Sequence, residues 1–201
     1  PVQGDTFSES MAELSFGITP GLAKVLTKLG INHLLDVGSG NGSVMKTLCS
    51  QMNNLNTILF DLPEIIDEAR NTIANANLSD RCQCVAGDFF SAELPKGAQA
   101  VSLIRVLHNW NDMEVQTILR SCRTALQERG YVIVVDTIRE DEKSKFGSFS
   151  DLNLHVLTGG SIRRLDAYQI LGEASGWRLV EHGSLIPPYQ YLVFSSINGK
   201  F

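Results

Sequence analysis

The sequence predicts an α/β fold in which a mostly parallel sheet carries helices on both faces and ends in an antiparallel pair. Three observations predict it. Short strand-like apolar runs alternate with longer helical ones, the order that builds a parallel sheet. One run, Tyr131-Val132-Ile133-Val134-Val135, is apolar throughout, as a strand covered on both faces requires. The last two runs, Arg178 to His182 and Tyr191 to Ser195, are joined only through Pro187-Pro188. So short a connection pairs strands antiparallel, because parallel neighbours need a long crossover.

Taken in order, Pro20 at a first helical position and Gly30 just past the end predict a helix over 20–29. His33 to Val37 form the first strand, stopped by a glycine-rich loop. Ser43 to Met52 read as helix and Thr57 to Phe60 as the second strand. Pro63 opens a helix carrying Ile65, Ile66, Ala69 and Ile73. Cys82 to Ala86 and Ala100 to Val106 are the third and fourth strands. A helix from Asn111 to Gln127 has Asn111 as cap, Asp112 and Glu114 at the positive end of its dipole, and Gly130 beyond its end. The charged loop Arg139 to Lys145 precedes helices near 149–157 and 166–175, the second capped by Asp166 and ended by Gly176.

Bulk properties narrow the function classes. With 201 residues, 43% hydrophobic and 19% charged, the chain fits one soluble domain with a sizeable core. A net charge of -5 argues against a nucleic-acid partner, because phosphate binding needs a basic face. No apolar run approaches the roughly 20 residues of a membrane span, and no signal peptide opens the chain. Cys49, Cys82, Cys84 and Cys122 lack the paired spacing of a zinc site. They read as thiols of a reducing cytoplasm, with Cys82 and Cys84 on one face of their strand. The chain begins at Pro1 rather than methionine, as a fragment, an excised domain or a processed product would.

The turn Asp36-Val37-Gly38-Ser39-Gly40-Asn41-Gly42 leaves a strand and enters a helix. Such a turn brings backbone close to a ligand and aims N–H groups at it. Asp61, about 20 residues on at the end of the next strand, can hold both ribose hydroxyls. Its plainer role would be a turn-forming Asp before Leu62-Pro63. The dinucleotide fingerprint spaces its glycines as GxGxxG, whereas here the third glycine comes one residue early and Ser43 stands in its place. A ligand with a ribose but no pyrophosphate fits better, which disfavours a nicotinamide dehydrogenase. Gly87-Asp88-Phe89-Phe90 follows the third strand. Carboxyl ends of adjacent strands converge on one crevice, where Asp88 can accept from an adenine amino group and Phe89 can stack on the ring. A capping Asp with two core phenylalanines is the alternative.

Together, Leu35 to Gly42, Phe60-Asp61-Leu62-Pro63-Glu64, Gly87-Asp88-Phe89-Phe90, Arg105 to Asp112, and Asp151-Leu152-Asn153-Leu154 with Thr158-Gly159-Gly160 resemble the small-molecule O-methyltransferase family. That family includes plant caffeate and flavonoid, acetylserotonin and bacterial polyketide-tailoring enzymes. The resemblance implies a Rossmann-like class I methyltransferase fold, seven-stranded with the last strand antiparallel. It implies S-adenosylmethionine as cofactor, leaving as S-adenosylhomocysteine, and a small aromatic or polyketide-type acceptor. Cofactor contacts then fall on Asp36, Gly38, Gly40, Gly42 and Asp61. Leu62, Asp88, Phe89, Arg105 and Met11 complete that set. His108 becomes the general base, with Asp136 standing where the family has an orienting glutamate. Trp110, Asn109, Asn153, His155 and Ile162 fall on the acceptor side, and no metal is implied. A phenol of pKa about 10 is a poor nucleophile at neutral pH, and an imidazole of pKa about 6.5 can take its proton as attack proceeds. Without that context, a lone histidine beside a tryptophan reads as a packed residue.

The sequence also departs from the family. Asn109 stands where an Asp commonly follows the histidine, Asp136 is a methylene short, and Ile162 replaces a second glutamate. Residues 1–30 read as a helical linker segment on a methyltransferase domain of 31–201, with Phe7 and Met11 near the cofactor. The family's N-terminal dimerisation domain is not matched, which leaves the homodimer and a closed acceptor pocket open. A family member that binds the cofactor without transferring methyl, as some tailoring hydroxylases and decarboxylases do, therefore stays in play, as does a non-catalytic fragment. Ile186-Pro187-Pro188-Tyr189 looks like the NPPY motif of amino-methylating enzymes. It lacks the Asn and follows the sixth strand rather than the fourth, so it reads as a turn.

Overall fold

The computed structural model describes residues 17–139 and 160–197. The predicted helix near 149–157 and residues Phe7, Met11, Asn153 and His155 lie outside them. The described strands are β1 (His33–Val37), β2 (Asn56–Asp61), β3 (Cys82–Ala86), β4 (Ala98–Ile104), β5 (Leu126–Thr137), β6 (Trp177–Ser184) and β7 (Tyr189–Ser196). They form one sheet in the order β3-β2-β1-β4-β5-β7-β6. Pairs among β1 to β5 are parallel, and β7 runs antiparallel to both β5 and β6. The expected mostly parallel sheet with its antiparallel last strand is therefore present, but β7 inserts between β5 and β6. Burial explains the choice. The second half of β7 is buried residue after residue, whereas β6 alternates buried or half-buried with exposed positions, as suits an edge.

Helices α1 (17–28), α2 (Ser43–Gln51), α3 (Pro63–Asn75), α4 (Asp112–Ala125) and α5 (Leu165–Ala174) cover the sheet. The period of two along the strands divides the core between them. Leu34, Ala100, Ile133 and Val135 pack with Leu22 and Leu26 of α1, Met45 and Leu48 of α2, and Ile66 of α3. Leu35, Val101, Val132 and Val134 pack with Val115 and Ile118 of α4 and Leu171 of α5. The continuous apolar run in β5 serves both faces at once.

Most strands run one to five residues beyond their expected bounds, and four further departures have a visible cause. Residues 17–19 are already helical ahead of Pro20, because Ile18 shares the buried face of Leu22, Val25 and Leu26. The helix over 111–127 ends at Ala125, since Leu126 leaves it to pair with Ala98 on β4. Asp166 is not the cap of α5. It lies in the first turn, where its carboxylate accepts from the Ala167 N–H and from Arg164 Nε. Strand β4 ends at Ile104 instead of Val106, because Arg105 turns the chain at φ +59°. Other signals hold. Asn111 accepts from the N–H groups of Met113 and Glu114 while Glu114 accepts from the Asn111 N–H, a full capping box. Pro63 starts α3, and Gly30 and Gly176 end their helices with positive φ.

Candidate functional site

The strand order switches between the parallel β1 and β4: the chain leaves β1 toward β2 on one side and β4 toward β5 on the other. Open α/β sheets bind ligands outside the carboxyl ends of the strands at such a point. Here the glycine loop stands there, with Gly38, Gly40 and Gly42 at φ of +74°, +56° and +76°. A Cβ on Gly38 would meet Val106 Cγ2 at 2.7 Å, while one on Gly40 would meet nothing within 4 Å. Gly38 is thus required by packing, and Gly40 fronts open space. The Gly40 N–H donates to Asp61 Oδ2 at 2.7 Å and the Leu62 N–H to Asp61 Oδ1 at 2.8 Å. The turn-forming role of Asp61 is present and ties β2 to the loop, and each oxygen keeps acceptor capacity. Leu62 is 39% exposed beside it.

Asp36 is buried, and Ser102 Oγ donates to its Oδ1 at 2.6 Å across the β1–β4 pair. Burial pushes its carboxyl up to about 7, against the stabilising Ser102 hydroxyl and with a smaller contribution from the charge of Asp61. A raised folded value means that the carboxyl favours folding fully only below about pH 4. That contribution is lost as pH climbs to about 7, by at most about 4 kcal/mol. Asp36→Asn is therefore expected to flatten the stability profile over that window and to outlast the parent at pH 8. Urea melts at pH 5 and pH 8 measure it, and parallel slopes for the two proteins would clear Asp36 of the effect.

At the end of β3, Asp88 accepts from the Phe90 N–H at 2.9 Å and from Ser91 Oγ at 3.2 Å, so the capping role foreseen as the alternative is present. The Gly87 N–H donates to the Asp61 carbonyl at 2.9 Å and joins this end to β2. Phe89, Phe90 and Trp110 meet edge-on, with centroids 4.8 Å apart for the phenylalanine pair and 5.7 and 4.7 Å to the indole. The structure thus brings Trp110, expected on the acceptor side, to the residues expected around adenine.

The turn after β4 carries His108. The Arg105 N–H donates to the Val135 carbonyl at 2.8 Å, and its positive φ folds the next residues into a single 3₁₀ turn, Leu107–Asn109. The Asn109 amide donates back to the Arg105 carbonyl at 3.2 Å. On β5, Asp136 continues the parity of Val132 and Val134 and so enters the α4–α5 side, fully buried. His108 Nδ1 contacts its Oδ1, which also accepts from the Thr137 N–H at 2.9 Å. Its Oδ2 accepts from the His108 N–H at 3.2 Å and from the Tyr168 hydroxyl at 3.1 Å. The shorter side chain reaches the imidazole directly, because the 3₁₀ turn brings His108 down to it.

Sequence reasoning missed what holds this turn. Arg163 is buried; its Nη1 donates to the Leu107 carbonyl at 2.9 Å, its Nη2 to the Trp110 carbonyl at 2.6 Å, and its Nε to Asp112 Oδ1 at 2.9 Å. A Cβ on Gly160 would lie 1.9 Å from the His108 carbonyl oxygen and 2.6 Å from the Asn109 carbonyl carbon. Ile162, buried, sits in sequence between these two. The glycine pair 159–160 was the one visible signal. Arg163 and Tyr168 give none, because their partners lie 51 to 56 and 32 residues away. Among the described residues, no group of three His, Cys, Asp or Glu side chains is placed to hold a metal ion. No described helix is long and apolar enough to cross a membrane.

Comparison with known proteins agrees with this fold. Residues 3–178 match the O-methyltransferase domain family. A mitomycin biosynthesis 6-O-methyltransferase of Streptomyces lavendulae is 31% identical over 179 residues, 89% of this chain and 51% of that protein. An aclacinomycin 10-hydroxylase of Streptomyces purpurascens is 34% identical over 169 residues, 81% of this chain and 45% of that protein. Among solved structures, an O-methyltransferase from neocarzinostatin biosynthesis, in complex with S-adenosylmethionine and 2-hydroxy-5-methyl naphthoic acid, superposes with a TM-score of 0.85 at 27% identity. That match covers 98% of this chain and 58% of the other. The chain spans about half the length of the curated relatives it matches. With seven strands in this order and a family match over most of its length, the chain belongs to the O-methyltransferase domain family and has the class I methyltransferase fold.

Proposed function

We propose that this protein is an S-adenosylmethionine-dependent O-methyltransferase that acts on a hydroxyl of a small aromatic or polyketide-type metabolite, with His108 as general base. The observation that carries the reading is the His108–Asp136 contact, at the same edge of the sheet as the open glycine loop. A carboxylate only accepts hydrogen bonds, so Asp136 assigns the ring proton to Nδ1 and leaves Nε2 with a lone pair. That lone pair takes the hydroxyl proton as the oxygen attacks. S-adenosylmethionine, when bound, supplies an electrophilic methyl group on a sulfonium.

The residues fit a nucleoside of this kind. Gly40 fronts open space, and Asp61 keeps acceptor positions for ribose hydroxyls. Asp88 and Phe89 stand at the next strand end for the adenine, and Leu62, Arg105 and Met11 complete the set. Asp36 acts from beneath the loop. Trp110, Asn109, Asn153, His155 and Ile162 are assigned to the acceptor side, and the binding partner is the acceptor. Four free thiols and a charge of -5 suit a cytoplasmic enzyme of small molecules better than one of nucleic acid or membranes.

Calorimetry is expected to show binding of S-adenosylmethionine and S-adenosylhomocysteine, with Asp61→Ala weakening both about 10- to 100-fold. Unchanged affinity in that variant would remove the ribose role, and tighter binding of NAD would remove the cofactor assignment. One relative, the aclacinomycin 10-hydroxylase, keeps a second reading in view. A mass-spectrometric screen of an aromatic library separates the two, since methyl transfer adds a methyl group and hydroxylation adds oxygen.

A further inference from the structure

We propose that Tyr168 is a positioning residue for His108, acting through Asp136: its hydroxyl fills the last acceptor position of the buried carboxylate and so sets the orientation and charge presented to the imidazole. The catalytic consequence rests on the general-base reading; the structural claim does not.

An ionised carboxylate offers about four lone-pair positions. Asp136 meets four donors, the His108 ring, the His108 N–H, the Thr137 N–H and the Tyr168 hydroxyl, and is fully buried, so water does not compete. Two of these donors are backbone groups whose positions follow from β5 and the 3₁₀ turn. Tyr168 alone reaches in from α5, and it decides whether Oδ2 is shared or left to pull on His108. Its ring is 1% exposed in the core beside Leu171 and Trp177, where a phenylalanine would pack equally well. The hydroxyl is therefore placed for Asp136, to which it donates, and for Arg163, from which it accepts, and not for packing. Burial and the charge of Asp136 hold the phenol well above its ordinary value, so it stays a donor throughout the neutral range. Among the described residues, the other charged groups in the network are Arg163, which faces Tyr168 from the preceding segment, and Asp112 of α4, which Arg163 grips. Arg105 opens the turn that carries His108.

Removing the hydroxyl leaves Asp136 with an unshared lone pair and a stronger hold on the Nδ1 proton. Tyr168→Phe is expected to move the titration midpoint of His108 up by about half a pH unit, read by NMR of the labelled imidazole with S-adenosylhomocysteine present. The same variant is expected to move the acidic limb of kcat/KM upward equally and to lower kcat several-fold, with KM for the cofactor unchanged. Site-specific 3-fluorotyrosine at position 168 is a stronger donor in the same ring and is expected to move the midpoint down. It serves also where Tyr168→Phe does not fold. An unchanged His108 midpoint in folded variants overturns the proposal. Shifted midpoints in a protein that transfers no methyl to any acceptor would uphold the Tyr168 assignment while removing the functional reading.

Discussion

His108→Ala is expected to lower turnover of a phenolic acceptor by about 10²–10⁴-fold while leaving S-adenosylmethionine affinity unchanged. The separation follows from where the groups sit. The histidine lies on the turn after β4, half-buried over Asp136, while the glycine loop and Asp61 lie at the ends of β1 and β2. Removing the imidazole takes away the proposed proton acceptor without touching the loop. The attacking oxygen must then shed its proton to water, and only positioning remains to accelerate the displacement. Steady-state kinetics with calorimetry on the same preparation measures both quantities. Full turnover in the variant would end the general-base assignment, and a parallel loss of cofactor affinity would recast His108 as a structural residue.

Gly160→Ala is the second large effect, and it leaves every proposed catalytic group in place. The added methyl would sit 1.9 Å from the His108 carbonyl oxygen and 2.8 Å from Asn109 Cα, both backbone atoms that cannot rotate away. The turn must shift, and Arg163, anchored on the Leu107 and Trp110 carbonyls, resists the movement. Overpacking of this kind costs about 1–3 kcal/mol of stability. A displacement of about 1 Å in a positioned group costs about 100-fold in rate. Turnover below the melting temperature should thus fall by roughly that factor while cofactor affinity holds. A variant that melts lower but turns over normally would show that the contact serves stability alone.

Much of the fold was legible because its signals are local. Short strand-like apolar runs and longer helical ones placed seven strands and all five described helices, Asn111 and Pro63 marked helix starts, and Gly30 and Gly176 marked ends. Errors came where a distant partner outweighed a local preference. Val106 continues an apolar run by itself, yet it packs beneath Gly38, and Arg105 takes a left-handed turn to send it there. Leu126 suits a helix, yet it pairs with Ala98. In the site, Asp61 and Asp88 were visible as acidic strand ends, and both also prove to be turn-formers, since one carboxylate can cap a turn and keep acceptor capacity. His108 and Asp136 drew notice through family resemblance rather than spacing, because nothing local joins residues 28 apart.

By itself, the sequence determined the element order, the glycine loop and the class of sheet, since each depends on residue type and near neighbours. The place of β7 inside the sheet, the descent of His108 onto Asp136 and the hold of Arg163, Gly160 and Tyr168 on that pair were decided only by the tertiary structure. Those contacts depend on which strands become neighbours and which face each side chain takes, and that is fixed by burying both faces of the whole sheet at once.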